Sequence, residues 1–367
     1  MKIALDGYEL GRDAKGVGRV IHNLLLRLPD LLPEDEFLIY TKENIVMGSC
    51  SPRAEEHILT SCGGYLRWQN GPLRKALKRA DPDLLIASNY VLPLSCPWRS
   101  ILIEHDISVI SHPEWYPRRY ALARRYLVGK SIEKADLVLV PSVSVEKEIR
   151  AFFEVGSDKI IAIGWGIEDK FRRAPEDEVR RWRERKGLAG KKIIGFLGSI
   201  FKRRHVPELI RAVELLRPEF PEAVLYLVGE DFGVLGRGEA SPLSGREWIR
   251  WETALLEEDL PVFYSSLDAF AYLSEYEGFG FPPLEALACG TPPVLLDRSS
   301  LAEVFSGLAV MVKAPDEKEI AAALRTALTE EKTRAGILAR FEQRRPQFSW
   351  SEPARELARL IGEMRDR

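Results

Sequence analysis

Glu277-Gly-Phe-Gly-Phe-Pro-Pro-Leu-Glu285-Ala-Leu-Ala-Cys-Gly290-Thr-Pro-Pro-Val is the segment of this chain whose residue types and spacing can do chemistry. Gly278 and Gly280 let the backbone turn tightly and approach a ligand closely. Pro282 and Pro283 suit the first turn of a helix, where their missing N–H groups have no partner to lose. The amides of Gly278, Phe279, Gly280 and Phe281 then stand where a helix dipole places partial positive charge, a cradle for a diphosphate or a sugar hydroxyl. Gly290 ends the helix, and Thr291-Pro292 cannot continue it. Glu277 falls on the loop and Glu285 about one turn into the helix, so both carboxylates can face one cleft from opposite ends of an extended ligand. Carboxylates beside phosphate make sense as acceptors for sugar and ribose hydroxyls. The plain alternative is a strand-to-helix turn with a capping glutamate, and a lone Gly-x-Gly would say no more than that.

The elements that must position this segment follow an α/β pattern, short buried-strand runs alternating with helices. Residues 2–6, 36–40, 84–87, 100–103, 137–141 and 160–163 read as strands, and 17–28, 71–79, 119–133 and 143–153 as helices. A second series has strands at 192–197, 225–229, 269–273, 293–296 and 310–312, a glycine-rich loop at 229–245, and amphipathic helices at 317–328 and 353–364. The reading is an open sheet built twice: an N-terminal domain over 1–165, a polar connection over 166–190, a C-terminal domain over 191–345, and a last helical piece over 346–367. Ligands of such sheets sit beyond the carboxyl ends of the strands, and with two domains the natural site is a cleft between them.

Bulk properties narrow the function. The chain has 367 residues, 46% of them hydrophobic and 29% charged, enough for two buried cores. A formal charge of −2 argues against a general nucleic-acid binder, which needs a basic field to displace counterions. Cys50, Cys62, Cys96 and Cys289 stand alone, without metal-ligand or disulfide spacing, so no metal site is expected and their use looks cytosolic. Asp6 interrupts the apolar start too early for a signal peptide, and no run reaches the roughly eighteen apolar residues of a membrane span. The expectation is a cytoplasmic protein that at most lies on the inner face of a membrane.

Taken together, the glycines, tandem prolines, both glutamates and the closing Gly-Thr-Pro resemble the Glu-x7-Glu motif of the retaining glycosyltransferase family 4. Other pieces agree in order. Gly198-Ser-Ile-Phe-Lys202-Arg203-Arg204-His205 is similar to the family's Gly-Thr-x-x-x-Arg-Lys-Asn variant, which grips the donor diphosphate. Arg204 stands where the family usually has Lys; a planar fork replaces a point donor, leaving open which of Lys202, Arg203 and Arg204 touches phosphate. Gly16-Val17-Gly18-Arg19 is similar to the family's Gly-Ile-Gly-Arg, and His105-Asp106 to its His-Asp pair on the acceptor side. Further matches are 134–142, Gly166-Ile with Phe171, Leu301-Ala-Glu303-Val, and Phe348-Ser-Trp350, where the family's terminal helix crosses back to the first domain.

The resemblance implies two Rossmann-like domains facing each other across a cleft, the GT-B arrangement. It also implies transfer of a sugar from a nucleotide diphosphate sugar to a glycan or lipid-linked hydroxyl, with the anomeric configuration kept. Glu277 would position the donor sugar, Glu285 the ribose, and His105 the donor sugar or the acceptor. Ser199, Arg203 and Arg204 would hold diphosphate, while Gly229 and Glu230 lie near the base. No cofactor is expected. The only Asp-x-Asp, Asp81-Pro-Asp83, leads into a first-domain strand, so catalysis without a bound cation is expected, the leaving phosphate serving as base. GDP-mannose is the slightly preferred donor, because the Gly-Val-Gly-Arg and Ser-Ile-Phe-Lys-Arg-Arg pieces look like those of mannosyl enzymes. A non-catalytic sugar-nucleotide binder and a nucleotide-sugar epimerase of the same fold are the rivals. The helix with Arg118, Arg119, Arg124 and Arg125 around Tyr120, Tyr126 and Leu127 admits peripheral contact with anionic lipid; a core helix with its arginines in water is the alternative.

Overall fold

Runs such as Ile-Ala-Leu and Leu-Val-Leu-Val become parallel strands because helices cover both faces of the sheet they join. The computed structural model of the chain describes residues 1–11, 16–25, 27–44, 54–61, 63–236 and 241–366. Its backbone contacts form two compact units, Met1–Gly166 with Gln347–Arg367, and Ile167–Pro346. The first holds β1 (Lys2–Asp6), β2 (Glu36–Thr41), β3 (Ala54–Ile58), β4 (Leu84–Ala87), β5 (Arg99–Ile103), β6 (Leu137–Val140) and β7 (Ile160–Ala162). These pair in the order β3-β2-β1-β4-β5-β6-β7, all parallel. The second holds β8 (Lys192–Leu197), β9 (Ala223–Val228), β10 (Ile249–Glu252), β11 (Ala269–Tyr272), β12 (Pro293–Leu296) and β13 (Val310–Val312), in the order β10-β9-β8-β11-β12-β13.

Both units are Rossmann-like. Each sheet reverses its direction of growth once, between β1 and β4 and between β8 and β11, and at that reversal the strand ends leave a crevice.

Two strands carry no apolar run to announce them, and sequence reading passes over both. β3 is Ala-Glu-Glu-His-Ile and β10 is Ile-Arg-Trp-Glu; each is an outer strand, half exposed, where burial does not select its residues. The expected helix at 71–79 begins earlier, at Tyr65, and widens into a π turn over Gln69–Leu73 before Arg74–Ala80. Pro72, inside that turn, lacks an N–H and crowds the preceding turn, which the wider winding relieves. The expected helix at 17–28 stops at Leu25 and resumes as Leu28–Leu31 around Pro29. Helices Val206–Leu216 and Glu331–Arg344 were not anticipated at all. Cys50, Cys62 and residues 237–240 of the glycine-rich loop lie outside the described residues; Cys96 and Cys289 are free thiols, both buried.

The first core joins Trp68, Leu77, Leu85, Leu102, Ile132 and Val138. Helix Ser351–Arg365 belongs to this unit, burying Ala354, Leu357, Leu360 and Ile361. Arg365 Nη2 donates to the buried carboxylate of Asp35 at 2.6 Å. A Cβ on Gly166 would lie 2.4 Å from Trp350 N, so that glycine lets the returning chain lie against the departing one. In the second unit, Trp182 of helix Glu176–Arg185 stacks on Tyr226 at 5.8 Å and meets Phe263 edge-on at 6.1 Å. The segment expected as a connection thus supplies a core side chain. Among the described residues no helix is long and apolar enough to cross a membrane.

Trp182→Ala should lower the stability of the second unit by about 3–5 kcal/mol, read as an earlier guanidinium midpoint for the full chain. A loss below about 1 kcal/mol would show that Trp182 is no anchor.

Candidate functional site

At the second crevice, Gly198 follows β8 and Gly229 follows β9, with φ of +142° and +149°. A Cβ on Gly229 would fall 1.9 Å from the Gly198 carbonyl oxygen, so the two loops touch only because residue 229 has no side chain. The Gly198 amide donates to Val228 O at 2.9 Å and Ile200 N to Glu230 O at 2.8 Å, which fixes the path after β8. Lys202–Arg204 then form a single 3-10 turn. His205, in left-handed backbone, places Nε2 2.8 Å from Glu275 Oε1, while Glu275 N donates to Arg203 O at 2.9 Å. The loop after β8 is therefore tied to the loop after β11.

Arg204 lies at the centre. Its Nη1 donates to Ser199 O at 2.9 Å, and Nε and Nη2 donate to Glu277 Oε1 at 3.2 and 3.0 Å. Tyr272, the last residue of β11, donates its hydroxyl to the same oxygen at 2.8 Å. Burial works against the charge on Arg204, but Tyr272 and Glu277 outweigh it and its pKa is raised. Burial also pushes the Tyr272 phenol well above its ordinary value, so it remains a donor. Among the described residues these contacts all fall on Glu277 Oε1, and none on Oε2. Arg203 instead lies over the ring of Phe201, 4.5 Å from its centroid, and Lys202 is exposed.

Helix Phe281–Ala288 starts at Gly280, whose φ of +105° suits glycine, and no side chain caps it. A Cβ there would meet Leu301 at 2.8 Å and Phe305 at 3.0 Å. Pro282 and Pro283 fill the first turn, and Phe279 meets Phe281 edge-on at 5.4 Å. At the other end Gly290 N donates to Leu287 O and Thr291 N to Ala286 O, both at 2.9 Å, the paired bonds of a Schellman closure. Gly278 follows Glu277, whose carbonyl accepts from Ser299 and Ser300 at 3.0 and 2.7 Å. Glu285 is only 2% exposed, and its Oε2 accepts from Tyr264 OH at 2.7 Å. Glu230 is exposed beside Gly229, whose carbonyl accepts from Trp251 Nε1 at 2.9 Å.

Gly16, Gly18 and His105 belong to the first unit. Gly16 has φ of +49° and Gly18 is buried in the helix it opens, Val17–Leu25. His105, just beyond β5, has its pKa lowered to about 4 by burial and is neutral at pH 7. Its Nε2 lies 3.0 Å from Ser88 O, and a carbonyl only accepts, so the proton is on Nε2 and Nδ1 is an acceptor. Ser88 in turn donates to Asp6 O at 2.6 Å. Asp6 closes β1, accepts from Tyr65 OH at 2.6 Å, and has its pKa raised to about 6 by burial. Glu104 is fully buried, with neither carboxyl oxygen hydrogen-bonded among the described residues, and burial raises its pKa well above the ordinary range. Arg124 lies over the Tyr90 ring at 5.5 Å, which takes it off the basic outer face of its helix. Sequence reading singled out none of Asp6, Tyr65, Tyr90, Glu104, Tyr264 or Tyr272. The usable signal was an acid at the carboxyl end of a buried strand, the last residue of β1 at Asp6 and the first after β5 at Glu104. Asp81 and Asp83 have structural duties: Asp81 closes a helix at φ +45° and accepts from Trp98 Nε1 at 3.3 Å, and Asp83 accepts from Lys2 N at 2.6 Å.

Two family models match this chain, Glycosyltransferase Family 4 over residues 14–171 and Glycosyl transferases group 1 over residues 178–341. The chain belongs to this glycosyltransferase family. The O-antigen chain mannosyltransferase B of Escherichia coli is 28% identical over 267 residues, covering 71% of this glycosyltransferase and 69% of the relative. The serotype-specific mannosyltransferase WbdA of Escherichia coli is 24% identical over 355 residues, 91% of this chain but 42% of WbdA, so the chain spans less than half of that relative. Among solved structures, HepE of Anabaena in complex with UDP-glucose has a TM-score of 0.76 at 17% identity, covering 99% of each chain. WaaG, a glycosyltransferase involved in lipopolysaccharide biosynthesis, has 0.74 at 16%, covering 98% of this chain and 99% of its own. Both solved structures share the two-Rossmann-domain fold of this chain.

The first unit's buried groups give opposite pH dependences. Asp6 holds its proton more tightly when folded, so its contribution is present below about pH 4 and lost as pH rises through about 6. His105 binds its proton less tightly when folded, so its contribution is present above its unfolded value of 6.5 and lost as pH falls through about 4. Each is worth on the order of 3 kcal/mol across its window. Denaturant unfolding between those limits should show Asp6→Asn gaining stability with pH relative to the parent, and His105→Gln losing it. Identical slopes in all three proteins would refute this.

Proposed function

We propose that this glycosyltransferase moves a sugar from a nucleotide diphosphate sugar to a hydroxyl of a glycan or lipid-linked acceptor, retaining the anomeric configuration and binding no divalent cation. The observation that carries the reading is the Arg204–Glu277–Tyr272 cluster at the crevice of the second sheet. It fixes a cation where diphosphate charge would develop and leaves Glu277 Oε2 to accept from a sugar hydroxyl. Arg203, stacked over Phe201 beside this cluster, and Arg204 are the guanidiniums placed to hold the diphosphate. The leaving phosphate takes the acceptor proton. The structural duties of Asp81 and Asp83 support a cation-free reaction, in which Arg203, Arg204 and the amides at the start of Phe281–Ala288 neutralise the leaving group.

GDP-mannose is the preferred donor, supported by the mannosyltransferases among the relatives; UDP-glucose, bound by HepE, is the competing donor class. The neutral His105, with Nδ1 as acceptor, suits a sugar hydroxyl. Exposed Tyr120, Leu122 and Tyr126, with exposed Arg118, Arg119 and Arg125, support peripheral contact with an anionic membrane bearing a lipid-linked acceptor.

With GDP-mannose and an acceptor glycan, product should form with retention by NMR and undiminished by chelator, and Glu277→Gln should cut kcat at least about 100-fold. Activity that is lost with chelator and restored by magnesium would sink the cation-free claim. Isomerised sugar from donor alone would favour an epimerase. Glu285→Gln should weaken GDP binding about tenfold by calorimetry, and unchanged affinity would exclude its ribose role.

A further inference from the structure

A second polar cavity, of about 380 Å³, opens in the Ile167–Pro346 unit at the opposite end of its sheet from Gly198 and Glu277. Gly190 before β8 and Asp268 before β11 form part of its floor. With six residues in β8, about 20 Å of strand separates it from the donor crevice. Four arginines line it, Arg173, Arg180, Arg183 and Arg334, against two acids, Glu176 and Asp268.

Their bonding sorts the six. Arg183 is structural: Nε and Nη2 donate to Ser266 O at 3.0 and 2.6 Å, and Nη2 also reaches Asp268 Oδ2 at 3.1 Å. The same Asp268 oxygen accepts from Ile193 N at 2.7 Å, so this carboxylate is satisfied and neutralised within the wall. Arg334 is held rigid by Nη1 donating to Asp268 O at 2.8 Å and Ala327 O at 2.7 Å, and its Nε and Nη2 have no acceptor among the described residues. Arg180 has no hydrogen-bond or ion-pair partner among them. Arg173 has only a 3.5 Å approach to Glu176, both side chains being mostly in solvent, where such a pair is worth little.

Three guanidiniums with N–H groups to spare thus converge on one concavity and face one rim carboxylate. Two positive charges are left unbalanced. Planar forks, that of Arg334 already held by the wall, match the oxygens of a tetrahedral dianion better than a single carboxylate, and the volume admits one or two phosphoryl groups. We propose that this pocket is a binding site for a phosphate-type dianion, inorganic phosphate, pyrophosphate or the phosphate of a small ester, separate from the donor site and independent of the reaction proposed above.

The test must silence the donor crevice, which also attracts diphosphate. Calorimetric titration of the full chain carrying Arg203→Gln and Arg204→Gln with pyrophosphate, in about 0.1 M sodium chloride to screen loose ion pairing, should give saturable binding of one anion. Adding Arg173→Gln and Arg180→Gln should weaken it at least roughly tenfold. Neither of those residues holds the fold, and an unchanged melting curve verifies that. Phosphate and a hexose phosphate titrated in parallel separate the sources: tighter binding of the ester identifies an esterified ligand, tighter binding of the inorganic ions a free one. No saturable binding of any of the three to the donor-crevice variant, or binding that survives loss of Arg173 and Arg180, would overturn the proposal.

Discussion

Glu277 Oε1 accepts from Arg204 twice and from Tyr272 once, and the geometry of the second crevice follows from satisfying that oxygen. A guanidinium this deeply placed must be paired, because a lone buried cation is costly. Its partners come from three places: the turn after β8, the last residue of β11, and the loop leading into Phe281–Ala288. A Cβ on Gly198 would lie 2.6 Å from Arg204 Nη1, and one on Gly229 would lie 1.9 Å from the Gly198 carbonyl oxygen, so this arrangement requires both residues to have no side chain. The glycines and the charge cluster are one requirement seen from two sides.

The first unit meets the same cost differently. At the ends of β1 and β5 it places Asp6, Glu104 and His105 where desolvation outweighs the nearby charges, Arg124 at Glu104 and Asp106 at His105, and shifts each towards its neutral form. The second unit holds charge in place, whereas the first holds hydrogen-bonding groups with their charge suppressed. Neutral donors and acceptors suit discrimination among hydroxyls, and paired charges suit a diphosphate.

Sequence reading recovered what is local. Central strands were legible because both their faces are buried, and β3 and β10 were not, because an outer strand need not be apolar. The segment from Glu277 to Gly290 was legible because its glycines, prolines and glutamates are contiguous. Hydrogen-bond partners were hidden by distance along the chain: Arg204 lies 73 residues from Glu277 in the second unit, and Tyr65 lies 59 from Asp6 in the first. Tyr272 and Tyr264 looked like core residues, which by burial they are; only their hydroxyl bonds mark them as part of the site. Asp81-Pro-Asp83 was placed rightly before a strand, but its hydrogen bonds needed the fold. The arginine pocket has no motif, since its residues range from 173 to 334.

The chain leaves its first unit at Gly166 and rejoins it at Gln347. A ribosome therefore finishes all seven strands of that unit, then makes the whole second unit, before Trp350 is available to Trp165 and Gly166 or Arg365 to Asp35. Domains usually mature in the order they are synthesised. Here the later-made unit can close first, while the earlier one waits for the apolar face of helix Ser351–Arg365 and for the second cationic partner of Asp35. The interval between those events is the time this nascent chain most depends on being kept from its neighbours.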